Sequence, residues 1–347
     1  MDKKSTYQSI LFFLIGLGLI WFVFRGTNIE QLKNELYRIS WFWVGISVVL
    51  NLLSLLVRAY RWKTLFIPLN YSPKIYNLFL AMLILVFTNQ IIPRGGEVAR
   101  LGIVNKYEKV PLSKLFGIAL IERLTDLIIL ILIFIVLLIW QFPLIQKIIE
   151  LPQINLLDVS IHRILIISGI IIISLVILYF IIRKFKNKIK KIKQELREGF
   201  TSIYYIKNKF LYLIQSILIY GIWLFMLYVL FLAYPPTQNL SIETAVFTFG
   251  IAAIAFLLPI QAGMGAWHFV VIQCLLLFGV GVDDGKVFAL IAHSVTNHVY
   301  LITGIIALAL LPIVNYKKVN PDKLFEIGKN VTTQVINRFN SIESNIK

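Results

Sequence analysis

Apolar runs near 20 residues long alternate with short polar stretches through most of this 347-residue chain. Runs of that length match the hydrocarbon thickness of a bilayer, and they predict spanning helices over 7–25, 41–57, 115–140, 162–182, 210–233 and 287–312. Two further apolar runs are interrupted. The run 77–92 stops at Pro93, Arg94, Gly95 and Gly96 before 97–106 resumes; the run 244–258 stops at Pro259 and a stretch holding Gln261, Gly263 and Gly265 before 269–280 resumes.

The basic residues give these runs a direction. Arg58, Arg61, Lys63 and Lys74 have no acid among them, which is a cytosolic signature. Arg94, Arg100, Lys106, Lys109 and Lys114 outnumber Glu97 and Glu108 in the next polar stretch, whereas 141–161 holds Lys147 against Glu150 and Asp158. A full crossing at 77–92 would place one basic stretch on the wrong face. The expected solution is a re-entrant hairpin, with irregular backbone tolerated at depth where protein or water covers it; the alternative is a plain span beside a misleading loop charge. The same argument gives a second hairpin entering from the opposite face.

The expected fold class is therefore an all-α polytopic membrane protein with six full transmembrane helices and two oppositely oriented re-entrant hairpins. Its halves, about 7–140 and 162–312, read as an inverted repeat within a membrane domain over 1–314. Both termini are expected on the cytosolic side of the cytoplasmic membrane. Residues 183–209 carry ten Lys/Arg against two acids, with apolar residues at three- and four-residue steps, and predict a basic surface helix. The tail 315–347 predicts a second amphipathic, basic element.

Composition narrows the function classes. The chain is 59% hydrophobic and only 15% charged, against about a quarter charged for soluble domains. Its formal charge of +17 falls in a few loops, which points to anionic lipid at the cytosolic face rather than to nucleic acid. Cys274 is the single cysteine, so an internal disulfide and a cysteine metal cluster are excluded. No metal-ligand spacing, cofactor motif or catalytic set is legible, and no enzymatic activity is expected.

The candidate chemistry sits where charge enters the apolar runs. Glu97 and Arg100 follow the first break; Glu122, Arg123 and Asp126 lie inside a predicted span, where an ionisable group needs a partner or a watery cavity. They predict either a headgroup cradle or a purely structural ion network. Arg94 and Arg100 are candidate bidentate hydrogen-bond donors to a lipid phosphate or, alternatively, residues reaching for the interface. Gly95, Gly96, Gly263 and Gly265 leave backbone groups near helix ends accessible, or simply permit turns. Glu97 precedes Arg123 by 26 positions, and His268, after the second break, precedes His293 by 25. His293 shares a helical face with Asn297, next to His298, for a proton-relay or substrate role, or for ordinary helix-to-helix hydrogen bonding.

The series P-x-x-G-E-x-x-R followed by E-R-x-x-D, on Pro93, Gly96, Glu97, Arg100, Glu122, Arg123 and Asp126, resembles the transmembrane region of lysylphosphatidylglycerol synthase and the flippase-like UPF0104-type family. The resemblance implies translocation of a phospholipid or lipid-linked glycan headgroup. In the second half it implies a glutamate and an arginine where this chain has His268 and His293. No stretch reads as the synthase's aminoacyl-transferase domain, so lysyl transfer is not expected. Two other readings stand beside translocation: a membrane accessory protein for a glycosyltransferase or lipid-modifying enzyme, and a proton-coupled carrier of a small solute.

Overall fold

The computed structural model describes residues 3–25, 29–92, 95–140, 206, 208–255 and 261–316. The expectations for Pro93, Arg94, Pro259, the span 162–182, nearly all of the basic segment 183–209 and the tail beyond Tyr316 lie outside these residues. Within them the chain is helical, with no strand. The elements are α1 (Lys3–Phe24), α2 (Ile29–Leu36), α3 (Trp41–Thr64), α4 (Ile75–Ile91), α5 (Gly95–Glu108), α6 (Leu112–Trp140), α7 (Lys209–Ala233), α8 (Ile242–Ala255), α9 (Ala266–Leu277) and α10 (Val282–Val314). The segments Trp41–Leu69, Lys209–Ala233 and Val282–Val314 are long and apolar enough to cross a membrane. α6 is 29 residues long and carries its four charged residues, Lys114, Glu122, Arg123 and Asp126, in its first half.

The burial pattern inverts that of a soluble protein. On α3 the residues Ser47, Asn51, Ser54, Arg58 and Arg61 are buried, whereas Phe42, Val49 and Leu53 are exposed. α6, α7 and α10 likewise present leucine, isoleucine and phenylalanine outward. An apolar exterior around a polar seam is stable only in an apolar solvent.

The first break follows from local chemistry. Ile92 takes an extended conformation (φ −122°, ψ 112°), as the residue before a proline prefers, and so ends α4. The Asn89 side chain then accepts the Gly96 N–H at 2.9 Å, satisfying one of the orphan donors at the start of α5. α5 folds back against α4, and Asn77 at the start of α4 binds Glu108 at the end of α5. Asn77 also exchanges hydrogen bonds with Asn315, just past α10. At its other end α4 brings Gln90 within 3.1 Å of Asn297, near the midpoint of α10.

The second hairpin approaches from the other end of α10. The Tyr234 hydroxyl, after α7, donates to Asp284 in the first turn of α10 at 2.9 Å, and α8 begins a few residues later. α8 packs on α9 and α9 on α10, while the carbonyl of Ala262, in the turn between α8 and α9, meets His293. The two hairpins therefore run in from opposite ends of α10, and α4 packs against the turn Gln261–Gly263 near its middle. At about 1.5 Å per residue, α4 is about 25 Å long and α8 and α9 are about 20 Å, short of a hydrocarbon core of about 30 Å.

Packing partners repeat between the halves. α3 packs on α4, α4 on α5, α5 on α6 and α4 on α10; correspondingly α7 packs on α8, α8 on α9, α9 on α10 and α8 on α6, with α3 and α7 paired across the centre. α3 and α7 are antiparallel: the Ser40 N–H donates to the Ala233 carbonyl at one end, and Arg61 meets Ser216 toward the other.

Two sequence expectations change here. The segment 26–40, a connection between the predicted spans 7–25 and 41–57, contains α2, whose apolar residues Ile29, Leu32 and Leu36 recur at helical steps. The second span does not end at 57: α3 continues to Thr64, and Arg58 and Arg61 belong to its buried face instead of to a cytosolic loop. Their charge is matched by acids from α6, so it informs on packing rather than on orientation.

Candidate functional site

Glu122 is the hub of the charged site. Its carboxylate is fully buried and lies 3.2 Å from Arg58 Nε, 3.1 Å from Arg61 Nη2, 2.6 Å from Arg100 Nη2 and 3.7 Å from Arg123 Nη2. Four guanidinium groups from α3, α5 and α6 thus converge on one acid. Asp126, one turn further along α6, takes Arg61 Nη1 at 2.8 Å and lies 3.6 Å from Arg123. Glu97, in the first turn of α5, holds Arg100 Nε at 2.8 Å and Arg123 Nη2 at 3.1 Å. α7 closes the back of the site: Ser216 lies 3.4 Å from Arg61, the Tyr212 hydroxyl donates to Thr125, and the Tyr220 hydroxyl donates to the Asp126 carbonyl.

The members differ in what remains free. Arg100 is fully buried, its guanidinium lies 4.5 Å from the Trp62 ring centroid, and Nη1 faces the Met82 sulfur. With both carboxylates taken, it is an internal strut. Arg123 is different: its side chain is 46% exposed, and all its ion pairs run through Nη2. Its Nε–Nη1 edge carries none of them. Among the described residues the site holds four arginines against three carboxylates, one positive charge in excess. A planar guanidinium edge at the open side of such a site suits a phosphate or carboxylate oxygen pair.

The second constellation lies where the hairpins meet. His293 Nε2 is 2.9 Å from the Ala262 carbonyl, which can only accept, so that nitrogen carries the proton. Nδ1 is then the acceptor for Asn297 Nδ2 at 2.8 Å, and the Asn297 carbonyl accepts from Gln90 Nε2 at 3.1 Å. The His268 ring lies 4.4 Å from that of His293, with Trp267 and Phe24 around it. The turn that presents Ala262 needs left-handed backbone at Ala262 (φ 50°), Gly263 (φ 68°) and Gly265 (φ 76°). At Gly265 a Cβ would lie 2.3 Å from Leu19 Cβ, so glycine there lets α9 start against α1.

The structure brings together Glu97, Arg100, Glu122, Arg123 and Asp126 as one network, and His268, His293 and Asn297 as another. His298 is exposed and bonded to the Ser294 carbonyl, away from the other imidazoles. Gly95 and Gly96 open α5 and lie against α4, Gly96 within van der Waals overlap of any added side chain. Gln261 belongs to the turn beside α4. Arg100 neither reaches an interface nor offers a free edge to phosphate, because both acids hold it. Sequence reasoning missed Arg58, Arg61 and Gln90. The two arginines were legible as the end of a polar series, Ser47–Asn51–Ser54–Arg58–Arg61, stepping by four and three along one helical face.

Comparison with known proteins supplies the family. The description "Lysylphosphatidylglycerol synthase TM region" matches residues 9–304. The chain is also 29% identical over 126 residues to the UPF0104 membrane protein MJ1595 of Methanocaldococcus jannaschii, a stretch covering 35% of this chain and 36% of that protein. The match therefore spans about a third of that relative's length. No solved structure matches the chain. With nearly the whole helical bundle inside the matched range, this chain belongs to the family of lysylphosphatidylglycerol synthase TM regions.

Proposed function

We propose that this protein moves the polar headgroup of a phospholipid or lipid-linked glycan across the cytoplasmic membrane, and that it does so as a carrier, with no covalent chemistry. In this reading α4–α5 and α8–α9 are re-entrant hairpins of an inverted repeat, entering from opposite leaflets. Lys74, Lys106, Lys109 and Lys114 then mark the cytosolic end, beside anionic lipid, and both termini lie on that side. The single observation that carries the reading is the charged network: among the described residues it leaves one positive charge uncompensated below an apolar exterior, with Arg123 at its open side. A site built only to hold helices together would gain nothing from leaving a guanidinium edge unpaired. A headgroup phosphate supplies the missing negative charge, and the lipid's chains remain in the surrounding apolar medium.

The test is transbilayer movement of a fluorescent phospholipid in vesicles containing the purified protein. Arg123→Ala and Glu97→Gln are expected to reduce movement to the protein-free rate while leaving the unfolding temperature within a few degrees of the unsubstituted protein. The Arg123 side chain is 46% exposed, where an ion pair contributes about 1 kcal/mol or less, and Glu97→Gln keeps an amide oxygen to accept from the buried Arg100. Undiminished movement in either variant would remove the network from transport and leave it a structural or anchoring role beside a membrane enzyme.

A further inference from the structure

We infer that the His268–His293 pair is a proton-binding site whose occupancy is transmitted to the tip of the first hairpin. The direction of the hydrogen-bonded chain carries the argument. The Ala262 carbonyl fixes the proton of His293 on Nε2. That leaves Nδ1 accepting from the Asn297 amide, and the Asn297 carbonyl accepting from Gln90. His268 is in the same state, because its Nδ1 faces the Gly265 N–H at 3.4 Å. Each imidazole therefore has one basic nitrogen, and each is occupied by a donor.

A proton arriving at His293 Nδ1 forms an N–H bond and turns the acceptor into a donor facing the Asn297 NH₂. Two donors cannot share that contact. Asn297 must turn its amide to present oxygen to His293. Its NH₂ then faces the Gln90 NH₂, so Gln90 must turn as well or release α10. Gln90 stands two positions before Ile92, where α4 ends, and Glu97 of the charged network lies in the first turn of α5 a few residues later. The protonation state of one imidazole is thereby expressed at the segment that also carries Glu97.

The surroundings admit at most one proton at a time. The rings are 4.4 Å apart, so a charge on one opposes a charge on the other. Their other neighbours are Phe24 of α1, Trp267 of α9, the Ala262 carbonyl and Asn297, none of them charged. The charged side chains described on the packed elements are engaged elsewhere. Arg25, following α1, lies over Phe22; Lys286 pairs with Asp283; Asp284 accepts from Tyr234; and the exposed His298 faces Ser294. Glu243 opens α8 at its far end, and Cys274 lies two turns along α9.

The experiment uses the full chain in phosphatidylcholine–phosphatidylglycerol vesicles, with Cys274→Ser and Ile92→Cys, and a nitroxide on the new cysteine. ¹⁵N-histidine spectra report protonation, and the nitroxide line shape reports the hairpin tip, as pH is lowered from about 8 to about 4 across the histidine range. One buried imidazole is expected to take up a proton, with loss of the immobilised nitroxide component at the same pH. His293→Gln removes both changes. Gln90→Leu keeps the imidazole titration and abolishes the tip response. No titration, titration without a tip response, or a tip response surviving in His293→Gln each overturns the inference. Neither readout depends on lipid movement, so it succeeds or fails separately from the proposed transport.

Discussion

Glu122→Gln is expected to lower the stability of the detergent-solubilised protein by about 3–5 kcal/mol, the range for removing one partner of a buried ionic network. The substitution changes shape very little, so the loss is electrostatic. Glu122 is the one acid in contact with all four arginines of the site. Without its charge the described network holds four cations against Glu97 and Asp126, and Arg58 loses the one ion pair it makes among the described residues. Arg100→Met in the same background is expected to recover part of the loss. It restores the original excess of one charge and places a flexible apolar side chain beside Met82 and Trp62, where Arg100 now packs. Asp283→Asn is the control: its carboxylate is 69% exposed and pairs with Lys286 one turn away, an arrangement worth at most about 1 kcal/mol. Thermal unfolding of the four proteins in one detergent checks the order; equal midpoints for Glu122→Gln and Asp283→Asn would sink the hub assignment.

How much of this was legible before any coordinates differs between the two constellations for a physical reason. Charges deep in an apolar run announce themselves, because nothing but a partner makes them tolerable. That is why Glu122, Arg123 and Asp126 could be joined to Glu97 and Arg100 from sequence. Arg58 and Arg61 stand at the end of their apolar run, where a snorkelling residue and a buried one have the same neighbours in sequence. Only the polar series leading up to them separates the cases. Gln90 was harder still: a single amide near a helix end has no periodicity, and its role exists only because α10 brings Asn297 to it. The helix breaks at Pro93–Gly96 and around Gly263–Gly265 were legible from proline and glycine. The family resemblance is confirmed over 9–304. It expected an acid and a base at His268 and His293; the fold does bring these two positions together, as neutral rings in contact.

The hairpin itself is tested by two glycines of α5 that sequence alone cannot rank. At Gly96 a Cβ would lie 2.1 Å from the Leu85 carbonyl oxygen and 2.8 Å from Asn89 Oδ1; at Gly102, six residues on, it would meet nothing within 4 Å. Leu85 presents backbone, which cannot rotate away, so Gly96→Ala must move the start of α5 off α4. The Asn89 cap is lost in the process, and Glu97, the next residue, is drawn from Arg123 and Arg100. Overpacking of this kind costs about 3 kcal/mol, and because it displaces Glu97, lipid movement is expected to fall with stability. Gly102→Ala is expected to act in the opposite direction. It adds a methyl group to open space and gains about 1 kcal/mol of helix preference, with no change in movement. The two substitutions are chemically identical and share a helix, so a difference between them in unfolding midpoint and vesicle assay isolates the close approach of α5 to α4. If both behave alike, the two limbs do not pack as described, and the route by which the first hairpin positions Glu97 is lost.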